Sequence, residues 1–194
     1  MRKLLIFFLF TSSLTFSQHT KDEVVAYQKN LNTEYLTPGK SPLKEDEIAV
    51  FKGLNFYEYT SNFVVNAVLE KLDHQKAFQM PTSSGRTQNY IRYGILKFSI
   101  NEQPFQLEVY QNLSLITKEG YEKYLFLPFI GLTSGNETYG AGRYLDFEIP
   151  ETPHVTLDFN KAYHPYCAYT TGYSCPITPD VNFLDVKVNA GVKF

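Results

Sequence analysis

Residues 94–110 read GILKFSINEQPFQLEVY. Leu96, Phe98 and Ile100 alternate with Lys97 and Ser99. After Asn101-Glu-Gln-Pro104, Phe105, Leu107 and Val109 alternate with Gln106 and Glu108. Two such runs across a four-residue connection predict an antiparallel hairpin with one wet face. The same period of two recurs along the chain from about residue 54. Phe63 to Leu69 and Ala77 to Met80 read as strands. Tyr124 to Ile130 is an apolar run, read as a buried strand with Pro128 at an edge or bulge. Leu145, Phe147 and Ile149 alternate with Asp146 and Glu148, and Val155, Leu157 and Phe159 with Thr156, Asp158 and Asn160. The connection Pro150-Glu-Thr-Pro153 predicts that these two runs pair as a second hairpin. Leu184, Val186 and Val188 make a last short strand.

The period is different ahead of residue 54. Thr20-Lys-Asp-Glu23 has the form of a capping box, and Val24, Tyr27 and Leu31 follow at helical spacing, which predicts a helix over about 21–31. Ser41-Pro42 opens a second helix, with Glu45, Asp46 and Glu47 in its first turns and Gly53 at its end. The sum is an α+β domain, mainly antiparallel β as a roll or partly open barrel, with two N-terminal helices.

At 194 residues with 43% apolar content the chain suits a single domain with a sizeable core. A net charge of −2 and the lack of any long charge block exclude a nucleic-acid-binding composition. Arg2 and Lys3, an apolar run from Leu4 to Phe16 and the small residue Ser17 read as a secretory signal over 1–17, too short to span a membrane. The remainder, 18–194, is expected as an exported domain, periplasmic or secreted, without a transmembrane segment. In that setting Cys167 and Cys175 read first as a disulfide.

Chemistry-bearing residues concentrate between Tyr124 and Asn182, which holds both cysteines, two of the four histidines and six of the ten prolines. Each motif there falls short of a known signature. Gly135 to Arg143 lacks the Lys and Ser/Thr of a phosphate loop. Gly131-Leu-Thr-Ser-Gly135 puts Thr133 where a nucleophile elbow has serine, but no helix follows. The spacing H-x9-H-x2-C-x7-C over His154, His164, Cys167 and Cys175 matches no usual zinc site, so neither metal nor cofactor is expected. Asp146, Glu148 and Asp158 read as one outer sheet face near Arg143. Asp158 and Asn160, at a strand end, are expected to bond backbone N–H groups. The tyrosines 139, 144, 163, 166, 169 and 173 read either as a ligand platform or as filling for a loop-rich core.

An ordered series of motifs resembles the bacterial domain-of-unknown-function family 1684. It comprises Phe126-Leu-Pro-Phe129, Thr133-Ser-Gly135, Glu137 through Asp146, Asp158-Phe-Asn160, Ala162-Tyr163, Pro165 with Cys167-Ala-Tyr169, Cys175-Pro176, and Pro179 with Asn182. The resemblance covers most of the chain beyond residue 17 and implies a related fold and shared loops, not a reaction. In that family acidic residues are usual where Gly131, Val181 and Val192 stand, and asparagine at the His164 position. The resemblance therefore carries the expectation that a site built on those carboxylates is lost or altered here.

The leading expectation is a non-enzymatic domain that binds a small polar ligand or an envelope partner through the 131–182 loops. Arg143 is its anion contact, Thr133, Ser134, Glu137 and Asn160 its polar contacts, and Tyr139 and Tyr144 its stacking surface. One alternative is an envelope hydrolase using His164 or His154 with Asp158. Another is a structural subunit of an envelope complex.

Overall fold

The computed structural model describes residues 21–194. Residues 1–17, read as a secretory signal, and the expected Thr20 cap lie outside these. Two helices come first, α1 (Lys21–Leu36) and α2 (Glu45–Val50). Ten strands follow: β1 (Asn55–Phe56), β2 (Val64–Lys71), β3 (Phe78–Pro81), β4 (Thr87–Ile100), β5 (Gln103–Asn112), β6 (Tyr124–Gly131), β7 (Arg143–Glu148), β8 (His154–Asp158), β9 (Phe183–Leu184) and β10 (Val192–Lys193).

The helix that was expected to end near residue 31 continues to Leu36. The second is shorter than expected and begins at Glu45. Ser41 instead donates to Tyr35 O at 2.6 Å and accepts from Leu43 N at 3.0 Å, shaping the turn before the helix. The Glu47 carboxylate accepts from Lys44 N at 2.9 Å, so an acid in the first turn does the capping.

One sheet runs β7-β6-β5-β4-β2-β8, with β3 added on β4 and β9 parallel to β6; β1 pairs separately with β10. The β4–β5 hairpin forms as predicted, but its turn is tighter. Only Asn101 and Glu102 lie outside the strands, both at positive φ (49° and 67°), and pairing runs from Ile100↔Gln103 onward. Two residues at positive φ match the right-handed twist of the flanking strands.

The second predicted hairpin does not form. β7 pairs with β6 and β8 with β2, at opposite ends of the sheet order. Alternation specifies which face is buried, not which strand is the partner. The short connection from Glu148 to His154 spans at most about 20 Å. Six flat strands would separate their outer members by about 24 Å. The sheet is accordingly curled into a half-barrel that brings its edges toward one another. Leu145 of β7 and Leu157 of β8 share one core with Leu96, Phe98, Leu107, Leu125 and Leu127. The Phe129 and Phe159 rings meet edge to face across it at 5.1 Å.

A bulge in β4 gives the sheet a second apolar face. Register shifts by one between Arg92 and Gly94. Tyr90 therefore faces the same side as Tyr110 and Asn112, whereas Leu96, Phe98 and Ile100 turn into the half-barrel. One extra residue reverses every later side chain. A Cβ at Gly94 would lie 2.8 Å from Glu70 O, so the bulge needs glycine there. Met80, Tyr90, Tyr110, Phe126 and Tyr144 form this second cluster, with Tyr124 and Tyr163 packed against it. A third cluster, Tyr35, Leu43, Leu54 and Val192, seats the helices.

Among the described residues no helix is long and apolar enough to cross a membrane.

Candidate functional site

The tyrosine face is the floor of a cleft of about 480 Å³. Tyr90, Phe126 and Tyr144 are buried beneath it. One wall is the turn after β5, with Ser114, Leu115 and Lys118; the other is the segment from Tyr163 to Pro176. That second wall is fixed at several points. Tyr163 and Tyr144 exchange backbone bonds at 2.9 and 3.0 Å, extending the sheet past β7. Cys167 and Cys175 are joined, with Cα atoms 6.3 Å apart. Ser83 N donates to Cys175 O at 2.9 Å and Cys175 N to Ser83 Oγ at 3.1 Å, which docks the disulfide loop on the end of β3. Tyr144 Oη donates to Pro176 O. The rings fill a core, the Tyr144 hydroxyl bonds its backbone, and one side is left open as a cleft.

Asp146 lies at the edge of this ring array. Tyr124 Oη donates to its Oδ1 and Tyr163 Oη to its Oδ2, each at 2.6 Å. The residue is open to solvent on one side. Loss of hydration among the rings raises its pKa above the ordinary carboxylate range, while the two hydroxyls pull the other way. Burial first, and then the neighbouring Asp146 carboxylate among other groups, raises the hydroxyls of Tyr90, Tyr144 and Tyr166. The expected carboxylate face does not exist, because Asp158 lies on the far edge strand and is buried.

Other expected site residues are placed elsewhere. Arg143, expected as an anion contact, is 1% exposed. Its guanidinium donates to the carbonyls of Val188, Ala190 and Val192 and to Thr133 Oγ1. Register decides this. Arg143 opposes Phe129, and the guanidinium lies 5.2 Å over that ring, inside rather than in the loops. Gly142, at φ 101°, has no room for a Cβ, which would come within 2.6 Å of Phe129 O. Thr133 is 1% exposed and shares its hydroxyl with Thr138 at 3.2 Å. Ser134 Oγ accepts from Gly131 N at 3.2 Å. Glu137 is exposed and accepts from Tyr57 Oη at 2.9 Å. Asn160 is buried: it accepts from Thr60 N and donates to Thr60 O, both at 3.0 Å. Asp158 Oδ1 accepts from Asn160 N at 2.9 Å, the backbone role read for this pair. Of the expected contacts only Tyr144 belongs to the cleft.

The histidines do not meet Asp158. His154 opens β8 and is exposed; Asp158 closes the same strand four residues on, about 13 Å along it. His164 is buried, its Nε2 accepting from Tyr139 N at 3.1 Å and its Nδ1 bonded to Tyr169 Oη at 2.8 Å. Burial, with the nearby Arg143 charge, lowers its pKa to about 3. A neutral ring with both nitrogens engaged is not a general base at neutral pH. Below pH about 6.5 the unfolded chain takes up a proton that the fold refuses until about 3. This stability is present above 6.5 and is lost through that window at about 1.4 kcal/mol per pH unit. Replacing His164 with asparagine, whose carbonyl can still accept from Tyr139 N, is expected to flatten the slope by about one proton. Urea unfolding of both proteins between pH 4 and 7 checks this; identical slopes would remove His164 as the cause.

Gly131, Val181 and Val192 occupy three different surroundings. A Cβ at Gly131 would meet Val186 O at 3.1 Å, Val181 is 51% exposed, and Val192 is buried with Tyr35 and Leu54.

The class of protein this defines is a curled antiparallel half-barrel with helices packed at one end and an aromatic cleft on its outer face. The chain belongs to the family described as protein of unknown function (DUF1684), which it matches over residues 49–193. It is similar in fold to an uncharacterised protein of Haloarcula marismortui solved in solution by NMR. The two are 27% identical with a TM-score of 0.69, over 90% of this chain and 94% of that one. No curated protein matches.

Of the tyrosines singled out in the sequence, Tyr144, Tyr163, Tyr166 and Tyr173 line this cleft. Tyr90 and Tyr124 went unread because they stand on other strands, far from that run in the chain.

Proposed function

We propose that the protein is an exported, non-enzymatic domain that binds a small molecule in the tyrosine cleft. The observation that carries this is the cleft itself. About 480 Å³ of space is walled by seven aromatic rings, with a few polar groups, Gln88, Asn112 and Ser174, set among them. Its size and its mixture of rings with few polar groups suit small-molecule recognition. The leader-like residues 1–17 and the disulfide support export. The bond network of His164, with His154 distant from Asp158, gives no support to a hydrolase.

A thermal-shift panel of small aromatic, amphiphilic and charged compounds tests the reading. A cleft ligand at about a hundred times its Kd should stabilise the fold by about 2.7 kcal/mol. For a domain of this size that is a rise of roughly 5–10 °C. Leu115→Trp, which fills the cleft from the turn after β5, should abolish the shift. It also adds the chain's only tryptophan as a reporter of occupancy. A panel without a hit, or a hit insensitive to Leu115→Trp, counts against the cleft.

A further inference from the structure

The charge beside the cleft, bonded by two of the tyrosines that line it, points to a ligand class, an inference that rests on the cleft being a small-molecule site. Asp146 is bonded by two neutral phenols and by no base; the ion pairs among the described residues are Lys44–Glu47, Arg92–Glu108 and Lys97–Glu70. Among the described residues its carboxylate is thus left without a counter-ion. Each carboxylate oxygen accepts one hydroxyl and keeps capacity for another donor or for a cation. The surrounding rings add to the same sign. An aromatic face is the negative part of its quadrupole, and a hydroxyl donating to a carboxylate gains electron density, which strengthens that face. Phe126 and Tyr144 stand edge to face at 4.7 Å in the floor, and Tyr163 meets Tyr144 at 5.8 Å with planes at 90°, so floor and wall present perpendicular rings. Lys118, exposed on the opposite wall, is the one basic residue among the described residues that line the cleft. An anion seated on Tyr124 and Tyr163 would face the carboxylate that their hydroxyls bond and electron-rich rings; a fully apolar ligand would leave that charge unanswered.

We propose that the cleft takes a small organic cation of the alkylammonium or quaternary ammonium class. Its head sits against the Asp146 carboxylate and the rings of Tyr124 and Tyr163, and its apolar remainder lies over Phe126 and Tyr144. Selectivity then comes from charge rather than shape, because the rings accept any apolar body while the carboxylate distinguishes a cation from its neutral isostere.

The experiment is a calorimetric comparison of choline with 3,3-dimethylbutan-1-ol, which has the same shape with carbon in place of nitrogen. Choline is expected to bind at least about tenfold more tightly than the alcohol. Asp146→Asn, which keeps an acceptor for one tyrosine hydroxyl, should lower choline to the affinity of the alcohol and leave the alcohol unchanged. Equal binding of the two compounds to the unmutated protein overturns the cation assignment while leaving the cleft reading intact. So does undiminished choline binding by Asp146→Asn, or no choline binding where other compounds raise the melting temperature. Choline binding that survives Leu115→Trp overturns the cleft itself. Should Asp146→Asn fail to fold, the pair of compounds on the unmutated protein still decides.

Discussion

Replacing Arg143 with alanine destabilises the protein by about 3–5 kcal/mol, the scale for removing a buried charge that holds several backbone carbonyls. This corresponds to roughly 6–20 °C in melting temperature for a domain of this size. The guanidinium bonds the carbonyls of Val188, Ala190 and Val192 together, and Val188 O accepts at 2.7 Å. It thereby ties the C-terminal segment to β7 and, through Thr133, to the loop after β6. Truncation strands three carbonyls and opens a cavity over Phe129. Burial pushes the pKa of Arg143 down to about 10, so the charge persists at neutral pH. Lysine cannot rescue the site, since a point charge on a flexible stem cannot hold three carbonyls at fixed angles. Denaturant unfolding of Arg143→Ala and Arg143→Lys measures this. A loss below about 1 kcal/mol in both would mean that the carbonyls find water and that the C-terminal segment is not anchored here. The same variants separate this role from ligand contact, which would change binding without changing the unfolding midpoint.

Asn182 carries the second large effect. β5 and β6 pair at a single position, Tyr110↔Phe126, and then separate. The Asn182 side chain fills the gap. Its Oδ1 accepts from Glu108 N at 2.7 Å, and its Nδ2 donates to Glu108 O at 2.8 Å and to Pro128 O at 2.7 Å. One amide thus replaces a missing stretch of ladder in the middle of the sheet. It stands where β6 carries a proline and so has no N–H to offer a neighbour. With Asn182 at 0% exposure, alanine leaves three backbone groups unsatisfied and costs about 3 kcal/mol or more. Aspartate should be worse than alanine despite its shape, because it sets a carboxylate against two carbonyl oxygens. Urea midpoints order the three proteins, and hydrogen exchange at the Glu108 amide should accelerate in both variants. An aspartate variant as stable as the unmutated protein would show that the two donated bonds contribute nothing.

The longer strands were legible because most bury one face and therefore alternate, while β6, buried almost throughout, showed as an apolar run. Leu96, Phe98 and Ile100 specify an inward side whatever lies opposite. Partners were another matter. Leu145 to Ile149 and Val155 to Phe159 look like a hairpin across Pro150 and Pro153, yet they form the two ends of the sheet. Nothing local records that β6 and β2 are the strands each one joins. Arg143 and Asn160 stood out as polar residues among loops, and polarity in a loop reads as function. Burial among backbone partners is invisible in a linear sequence, so two buried residues looked like contacts. The tyrosine face depends on one bulged residue near Tyr93, which sequence alternation counts as noise.

The chain's own order of residues thus established an α+β domain rich in antiparallel strands, the helical character of the N-terminal part, the single pair of cysteines and the family. These follow from local period, spacing and motif. The curl of the sheet, the pairing of its edges, the burial of Arg143 and the assembly of Asp146 with tyrosines from separate strands arose from packing. They are relations between residues far apart in the chain, and only contact in three dimensions sets which hydroxyl meets which carboxylate.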